Sequence, residues 1–371
     1  MLIYSLTAAC SDTGTEVCIL SERRGLDLRQ KDLPATSIPL VEPTYFRGEK
    51  KLRQWLRKPI FKSELMFSAD KHGVSVLLPL LNVPADQGAA GTIGWIPDFQ
   101  HRYLAERFSD AERRKRDANF KTLVNRATLV LLSSEAALAN YQEFARDNAP
   151  KQADKARVVP FPSLFAFELL SGDPEATRAK FKLPPKFILV ANQFWEHKNH
   201  RAVVEAIRQL REKGIRIPVV LTGMPIDALD SQNMPISRLL QAIAAGELRE
   251  QITVLGLVDK GDLINLMRIA ALVVQPSLFE GWSTVVQDAK ALGRPLICSD
   301  IAVHREQAPG ALGHFPPNRP DLLADLLAAH WERLEPGPDR KREEIALSAE
   351  REFAQRHGKM LLRVCQEAAR F

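Results

Sequence analysis

The stretch "ALVVQPSLFEGWSTVVQDAKALGRPLICSD", Ala271 to Asp300, decides how this chain is read. "ALVVQPS" is an apolar run of strand length and "LFEGW" a loop. "STVVQDAKAL" has helical spacing, with Ser283 at its N-cap and Gly293 at its C-cap. A second apolar strand follows at Pro295–Ser299. Strand, loop, helix and strand in that order make a parallel βαβ unit. Open α/β sheets bind ligands at the carboxyl ends of their strands, where this loop places Glu280 and Gly281. A helix start there offers free N–H groups and partial positive charge, which suit phosphate. Gly281 lets a ligand come close to the backbone. The plainer alternative is a capping loop in which Glu280 only stabilises the helix start.

Asp288 stands eight residues after Glu280. Eight residues of helix rise about 12 Å. Paired glycosidase carboxylates need about 5 Å, or about 6.5–9.5 Å. The two acids therefore read as contacts to separate ends of one ligand, with a solvated helix acid as the alternative for Asp288.

A second loop points to the same sheet edge. "FILVANQFWEHKNH" (Phe187–His200) is a strand, a loop and a helix start, with Lys198 before an N-cap at Asn199. A lysine beside a helix N-terminus can hold a phosphate as a point charge; in isolation it would be a surface lysine. Two such loops together favour a diphosphate.

Outward from these loops the strand–helix rhythm continues. Strands are expected at Glu16–Leu20, Val74–Leu78, Gly91–Ile96, Ala127–Leu132, Arg157–Pro160, Phe187–Ala191, Pro218–Thr222, Ile252–Leu255, Ala271–Gln275 and Pro295–Ser299. Helices are expected at Asp110–Val124, Ser134–Phe144, His200–Lys213, Lys260–Ala270 and Thr284–Leu292. This predicts doubly wound parallel sheets. With 371 residues the chain exceeds one ordinary core. The proline-rich stretch Val158–Phe187 interrupts the rhythm, so the domain boundary is placed there. The expected domains are 1–165 and 166–349, with a C-terminal helix at 350–371 packing back on the first.

Composition sets limits. Net charge is +6, and 26% of residues are charged. That fits a soluble protein with an anionic small ligand or an acidic membrane surface; no nucleic-acid motif is present. Cys10, Cys18, Cys298 and Cys365 have no metal or redox spacing and read as free thiols in a reducing cytoplasm. No metal cluster is visible. No apolar run reaches membrane-span length, and no signal peptide is seen.

With these residues in hand, the chain resembles the retaining glycosyltransferases of family four, also called group 1. The resemblance rests on "VVQPSLFEGWSTVVQDAKALGRPLICSD". It extends back through "VLGLVDKGDLINLMRIAALVVQPS" and "VVLTG" to "FILVANQFWEHKNH", and forward through "IAVHREQ". It implies a GT-B fold, two Rossmann-like domains facing a cleft, and a nucleotide-sugar donor with no obligatory metal or cofactor. Glu280 would contact the donor sugar. Asp288, where the family has Glu, would hold the ribose. Gly281, Trp282, Ser283 and Thr284 would meet the sugar or diphosphate, and Lys198 the diphosphate. Gln193 stands where the family usually has an arginine.

The N-terminal half departs further. "GWIPDFQHRYLAERFS" (Gly94–Ser109) resembles an acceptor-side stretch in some of these enzymes, making Asp98 and His101 acceptor candidates. A structural turn after a strand is the alternative. The usual first strand and its glycine-rich loop are not visible; either the true start lies upstream or this domain is rearranged. "YFRGEKKLRQWLRKPIFKSELMF" (Tyr45–Phe67) is basic and aromatic, with seven Lys/Arg and one acid from Arg47 to Lys62. Such a segment suits an anionic membrane carrying lipid-linked acceptors, or is a solvated helix face.

The expected protein is a cytoplasmic, peripherally membrane-associated glycosyltransferase of polysaccharide biosynthesis. It would move a hexose-type sugar with retention to a glycan or lipid-linked acceptor. The alternatives are a degenerate protein that binds nucleotide or a partner enzyme, and a GT-B nucleotide-sugar epimerase.

Overall fold

The computed structural model describes residues 9–10, 15–17, 19–20, 40–41, 64–85, 88–163, 172–225 and 234–371. The N-terminal stretch where the missing first strand was sought (1–8), Cys18, and residues 45–63 of the basic segment lie outside the described residues. The chain separates into two compact units, one of residues 1–161 with 354–371, the other of 162–353.

In the first unit, β1 (Ile19–Leu20) pairs with β2 (Leu40–Val41). A separate parallel sheet has the order β3 (Val76–Leu80), β4 (Gly91–Trp95), β5 (Leu129–Leu132), β6 (Ala156–Val158). Its helices are α1 (Glu64–Lys71), α2 (Gln100–Tyr103), α3 (Asp110–Arg126) and α4 (Glu135–Asn148). Alternate strand residues feed opposite faces, as the period of two requires. Val130 and Leu132 pack with Leu123 and Val124 of α3 and Tyr141 and Phe144 of α4. Ile93, Leu129 and Leu131 face the other way, against Leu361, Leu362, Val364, Cys365 and Ala368. Those five belong to α12 (Arg340–Ala368). Here a glycine is required: a Cβ on Gly91 would stand 2.2 Å from the carbonyl oxygen of Ala368.

In the second unit, one all-parallel sheet has the order β12 (Gly313–Phe315), β11 (Leu296–Ser299), β10 (Leu272–Gln275), β7 (Ile188–Ala191), β8 (Val219–Thr222), β9 (Ile252–Gly256). Between strands run α5 (Pro174–Lys180), α6 (His200–Glu212), α7 (Met234–Ala245), α8 (Lys260–Ile269), α9 (Thr284–Ala291), α10 (Ala302–Gln307) and α11 (Pro320–Trp331). Ile188, Val190, Leu272 and Val274 pack under α6, α7 and α11, while Leu189 and Val273 pack under α8 and α9. The chain winds outward from β7 to β9, then returns to β10 beside β7 and winds the other way. The winding reverses between β7 and β10, and that crevice is where an open α/β sheet binds its ligand.

The strands fall within about two residues of their sequence-derived positions, except that β1 holds only the end of Glu16–Leu20. The two-residue β2 was not anticipated, nor was the three-residue β12. Its single ladder with β11 is short, and such a run has no periodicity of its own. Cys10, Cys298 and Cys365 are buried and form no disulfide with one another. No helix among the described residues is long and apolar enough to cross a membrane.

Three buried histidines make stability acid-sensitive. Burial pushes His200 down to about 3, and His304 and His357 to about 4. The unfolded chain protonates these rings near pH 6.5. Between that pH and the folded values the unfolded state binds more protons, so stability falls as pH falls. The urea midpoint is expected to drop from pH 7 to pH 5, and to drop less in His357→Leu. Parallel drops would assign the acid sensitivity to other groups.

Candidate active site

The reversal of winding brings the two loops found in the sequence together. β7 leads into the loop carrying Lys198, and β10 into the loop carrying Glu280. The Lys198 Nζ donates to Glu280 Oε1 at 2.6 Å. Two further donors meet the same oxygen: Gln275 Nε2 at 3.0 Å and Ser277 Oγ at 2.7 Å. Among the described residues Oε2 has no hydrogen-bond partner. Burial works to raise the Glu280 pKa, but the Lys198 charge and hydrogen bond outweigh it, and the carboxyl is held below its ordinary value. The site therefore presents an ionised carboxylate with one oxygen saturated by protein and one open to a ligand.

The loop is stapled from both sides. On the β7 side, Leu278 N–H donates to His197 O at 2.8 Å. The Asn199 amide donates to Pro276 O at 3.1 Å and Pro317 O at 2.9 Å. Asn199 stands at the N-cap of α6, as read from the sequence, but in the left-handed region (φ 55°) and with its side chain capping nothing. On the β11 side, Ser299 Oγ donates to Ser277 O at 2.5 Å.

The start of α9 is built as expected. Ser283 caps it by accepting from Val286 N–H. The Ser283 N–H is itself taken by Gln307 Oε1 at 3.0 Å. The amides of Thr284 and Val285 have no partner among the described residues, as at any helix start. Gly281 is buried, Trp282 is half-buried and Thr284 is exposed.

Other candidates stand apart from the Lys198–Glu280 pair. Gln193 Oε1 accepts from Met224 N–H at 2.8 Å, joining the loops after β7 and β8. These loops touch because residue 223 is glycine; a Cβ there would lie 2.0 Å from Asn192 O. Asp288 is 4% exposed on the second turn of α9 and accepts from Ser163 Oγ at 2.6 Å. In the first unit, Asp98 accepts from Gln100 N–H at 2.8 Å. His101 is fully buried, with Nε2 3.0 Å from Asp117, and burial lowers its pKa.

Sequence reading did not find Gln275, Ser277, Ser299 or His304. The signal was present: polar residues closing two apolar strands, "VVQPS" and "ICS", have no place in a core unless something polar meets them. Among the described residues, no three or more His, Cys, Asp or Glu side chains gather where they could hold a metal.

Residues 173–342 match the profile of the family described as glycosyl transferases group 1. The chain is 31% identical over 117 residues to a Bacillus subtilis (strain 168) protein with the provisional name glycosyltransferase EpsF, covering 31% of this chain and 28% of that one. It is 26% identical over 223 residues to the alpha-D-kanosaminyltransferase of Streptomyces kanamyceticus, covering 58% and 54%. The chain thus matches about half, or less, of the length of these curated relatives. Among solved structures it resembles Anabaena HepE in complex with UDP-glucose, with a TM-score of 0.58 at 15% identity over 100% of this chain and 94% of that one. Likeness at this identity shows the fold, the two-domain GT-B architecture of Rossmann-like units. Residues 173–342, with their reversed sheet and the Lys198–Glu280 pair at its crevice, are the part of the chain that is similar to the group 1 glycosyl transferases.

Proposed function

We infer that this chain transfers a hexose-type sugar, with retention, from a nucleotide-diphosphate donor to a glycan or lipid-linked acceptor in polysaccharide biosynthesis. The observation that carries the reading is the half-engaged Glu280 carboxylate, held by Lys198 beside the start of α9. The family match and the likeness to a fold seen with UDP-glucose support the donor class.

In this reading each residue of the site has a role. Glu280 Oε2 accepts a hydroxyl of the donor sugar. The ammonium of Lys198 has three N–H donors, of which one is on Glu280, so it can also meet the diphosphate. The free amides of Thr284 and Val285 add the positive end of α9. Gly281 and Trp282 line the approach to that helix start, and Ser283 fixes it. Asp288, beside Ser163, takes the ribose end. Gln193 offers an amide nitrogen where a second cation would stand. In the reaction the sugar–diphosphate bond breaks, the acceptor oxygen bonds to the same face of the sugar carbon, and its proton passes to the departing diphosphate. Positioning and charge stabilisation by Lys198 and the helix start supply the catalysis. On the first unit, Asp98 and His101 are the acceptor candidates, His101 with Nε2 3.0 Å from Asp117. Gln193 in place of a cation favours a second reading, a nucleotide-binding protein without transfer.

Calorimetry with UDP, GDP and ADP is expected to show binding of at least one, and silence from all three at millimolar concentration would end the proposal. Glu280→Gln should slow transfer by about 10²-fold, the usual scale for one lost contact aimed at the transition state, with little change in nucleotide affinity. Asp288→Ala should weaken the nucleotide instead. Nucleotide binding without transfer to any glycan acceptor would favour the second reading.

The basic segment 45–67 is proposed to hold the chain on the inner face of an anionic membrane. Each basic residue near such a surface contributes about 1 kcal/mol. Co-sedimentation with anionic vesicles should fall as salt rises and fall in a variant with Lys50, Lys51, Arg57 and Lys58 changed to Ser. Binding indifferent to lipid charge would make the segment an ordinary solvated face.

A further inference from the structure

On the β11 side of the site, a run of hydrogen bonds ends on a residue given no role above. Ser299 closes β11 and donates its hydroxyl proton to Ser277 O at 2.5 Å. The Ser299 hydroxyl and carbonyl oxygens both face His304 Nδ1, at 3.0 and 3.1 Å. A carbonyl oxygen only accepts, and the Ser299 proton is committed to Ser277. Nδ1 therefore carries the ring proton. Nε2 is left as a bare acceptor, buried and without a hydrogen-bond partner. The ring is fully buried. Burial pushes its pKa down to about 4, with the Glu280 charge opposing and that of Lys198 assisting. It is thus neutral beside Lys198 and adds no second cation to compete for the carboxylate. From Ser277 the run continues, because its Oγ donates to Glu280 Oε1 at 2.7 Å.

We propose that His304 is a positioning residue for Glu280, acting through Ser299 and Ser277 to keep Oε1 turned into the protein and Oε2 turned to the donor sugar. Without the Nδ1–H, the Ser299 side chain loses the partner that fixes its rotamer. Its hydroxyl then leaves the Ser277 carbonyl, and the segment just before Glu280 loses its tie to β11. An apolar side chain would fill the same volume without leaving a nitrogen unpaired, so packing does not account for a histidine here. The effect on sugar binding rests on the reading of Glu280 given above; the hydrogen-bond run does not.

The experiment compares the full chain with His304→Leu, His304→Asn and Ser299→Ala. Asparagine can place an N–H near the position of Nδ1; leucine cannot. The first readout is the pH titration of the Glu280 carboxyl carbon in ¹³C-glutamate-labelled protein, assigned with Glu280→Gln. The second is the ratio of UDP-glucose to UDP affinity by calorimetry. In His304→Leu and Ser299→Ala the carboxyl titration should move to higher pH, and the ratio should fall about fivefold, as for one net hydrogen bond, with UDP affinity unchanged. His304→Asn should recover most of both. An unchanged titration in folded His304→Leu, or no recovery with asparagine, would overturn the proposal. If leucine prevents folding, Ser299→Ala and His304→Asn decide it on the same readouts. If the parent binds neither UDP nor UDP-glucose, the donor reading stands or falls with GDP and ADP, and the carboxyl titration alone judges the role of His304.

Discussion

A carboxylate taken out of water must find a cation and enough donors to replace its hydration. Glu280 meets that requirement at the fork of the second sheet, and the surrounding loops are arranged around it. Lys198 supplies the charge, Gln275 and Ser277 the additional donors. Neither lysine nor glutamate would be tolerated there alone. The pair exists because β7 and β10, far apart in sequence, are neighbours in the sheet. The winding order of the strands thus sets the electrostatics of the site. The backbone staples at Pro276, Ser277 and Leu278 tie the loop of Glu280 to the loop after β7 and to β11.

The second unit was largely legible in the sequence because its strands are buried on both faces. "ILVA", "VVLT" and "LVVQ" are near-continuous apolar runs, as doubly covered parallel strands must be. The loops of Lys198 and Glu280 could be singled out from strand ends and helix starts alone. That the two side chains meet could not, since contact depends on which strands lie side by side. Asn199 holds the N-cap position read for it, but the work of its side chain was hidden for a related reason. Its position before a helix suggests a cap, yet its amide has two carbonyls within reach on other loops, and these hold it instead. Gln275, Ser277 and Ser299 sit in runs otherwise read as core, where an apolar average hides a single polar residue.

Asp288 shows the limit of spacing as a guide. Its eight-residue distance from Glu280 correctly put it on a helix, but the helix turns it toward Ser163. Sequence spacing constrains the turn of a helix on which a residue lies. It says nothing of which other segment arrives to face that turn.

The first unit takes its last strip of core from residues 354–371, on the far side in sequence of the whole second unit. During synthesis the sheet of β3 to β6 leaves the ribosome early, while Leu361, Leu362 and Val364 follow some two hundred residues later. At roughly 5–20 residues per second, that is an interval of tens of seconds. Throughout it, Ile93, Leu129 and Leu131 lack their native cover. The second unit, contiguous in sequence, can close first. The sheet made before the second unit is therefore finished after it, and until then its uncovered apolar face is the kind of surface that makes a nascent chain prone to aggregate.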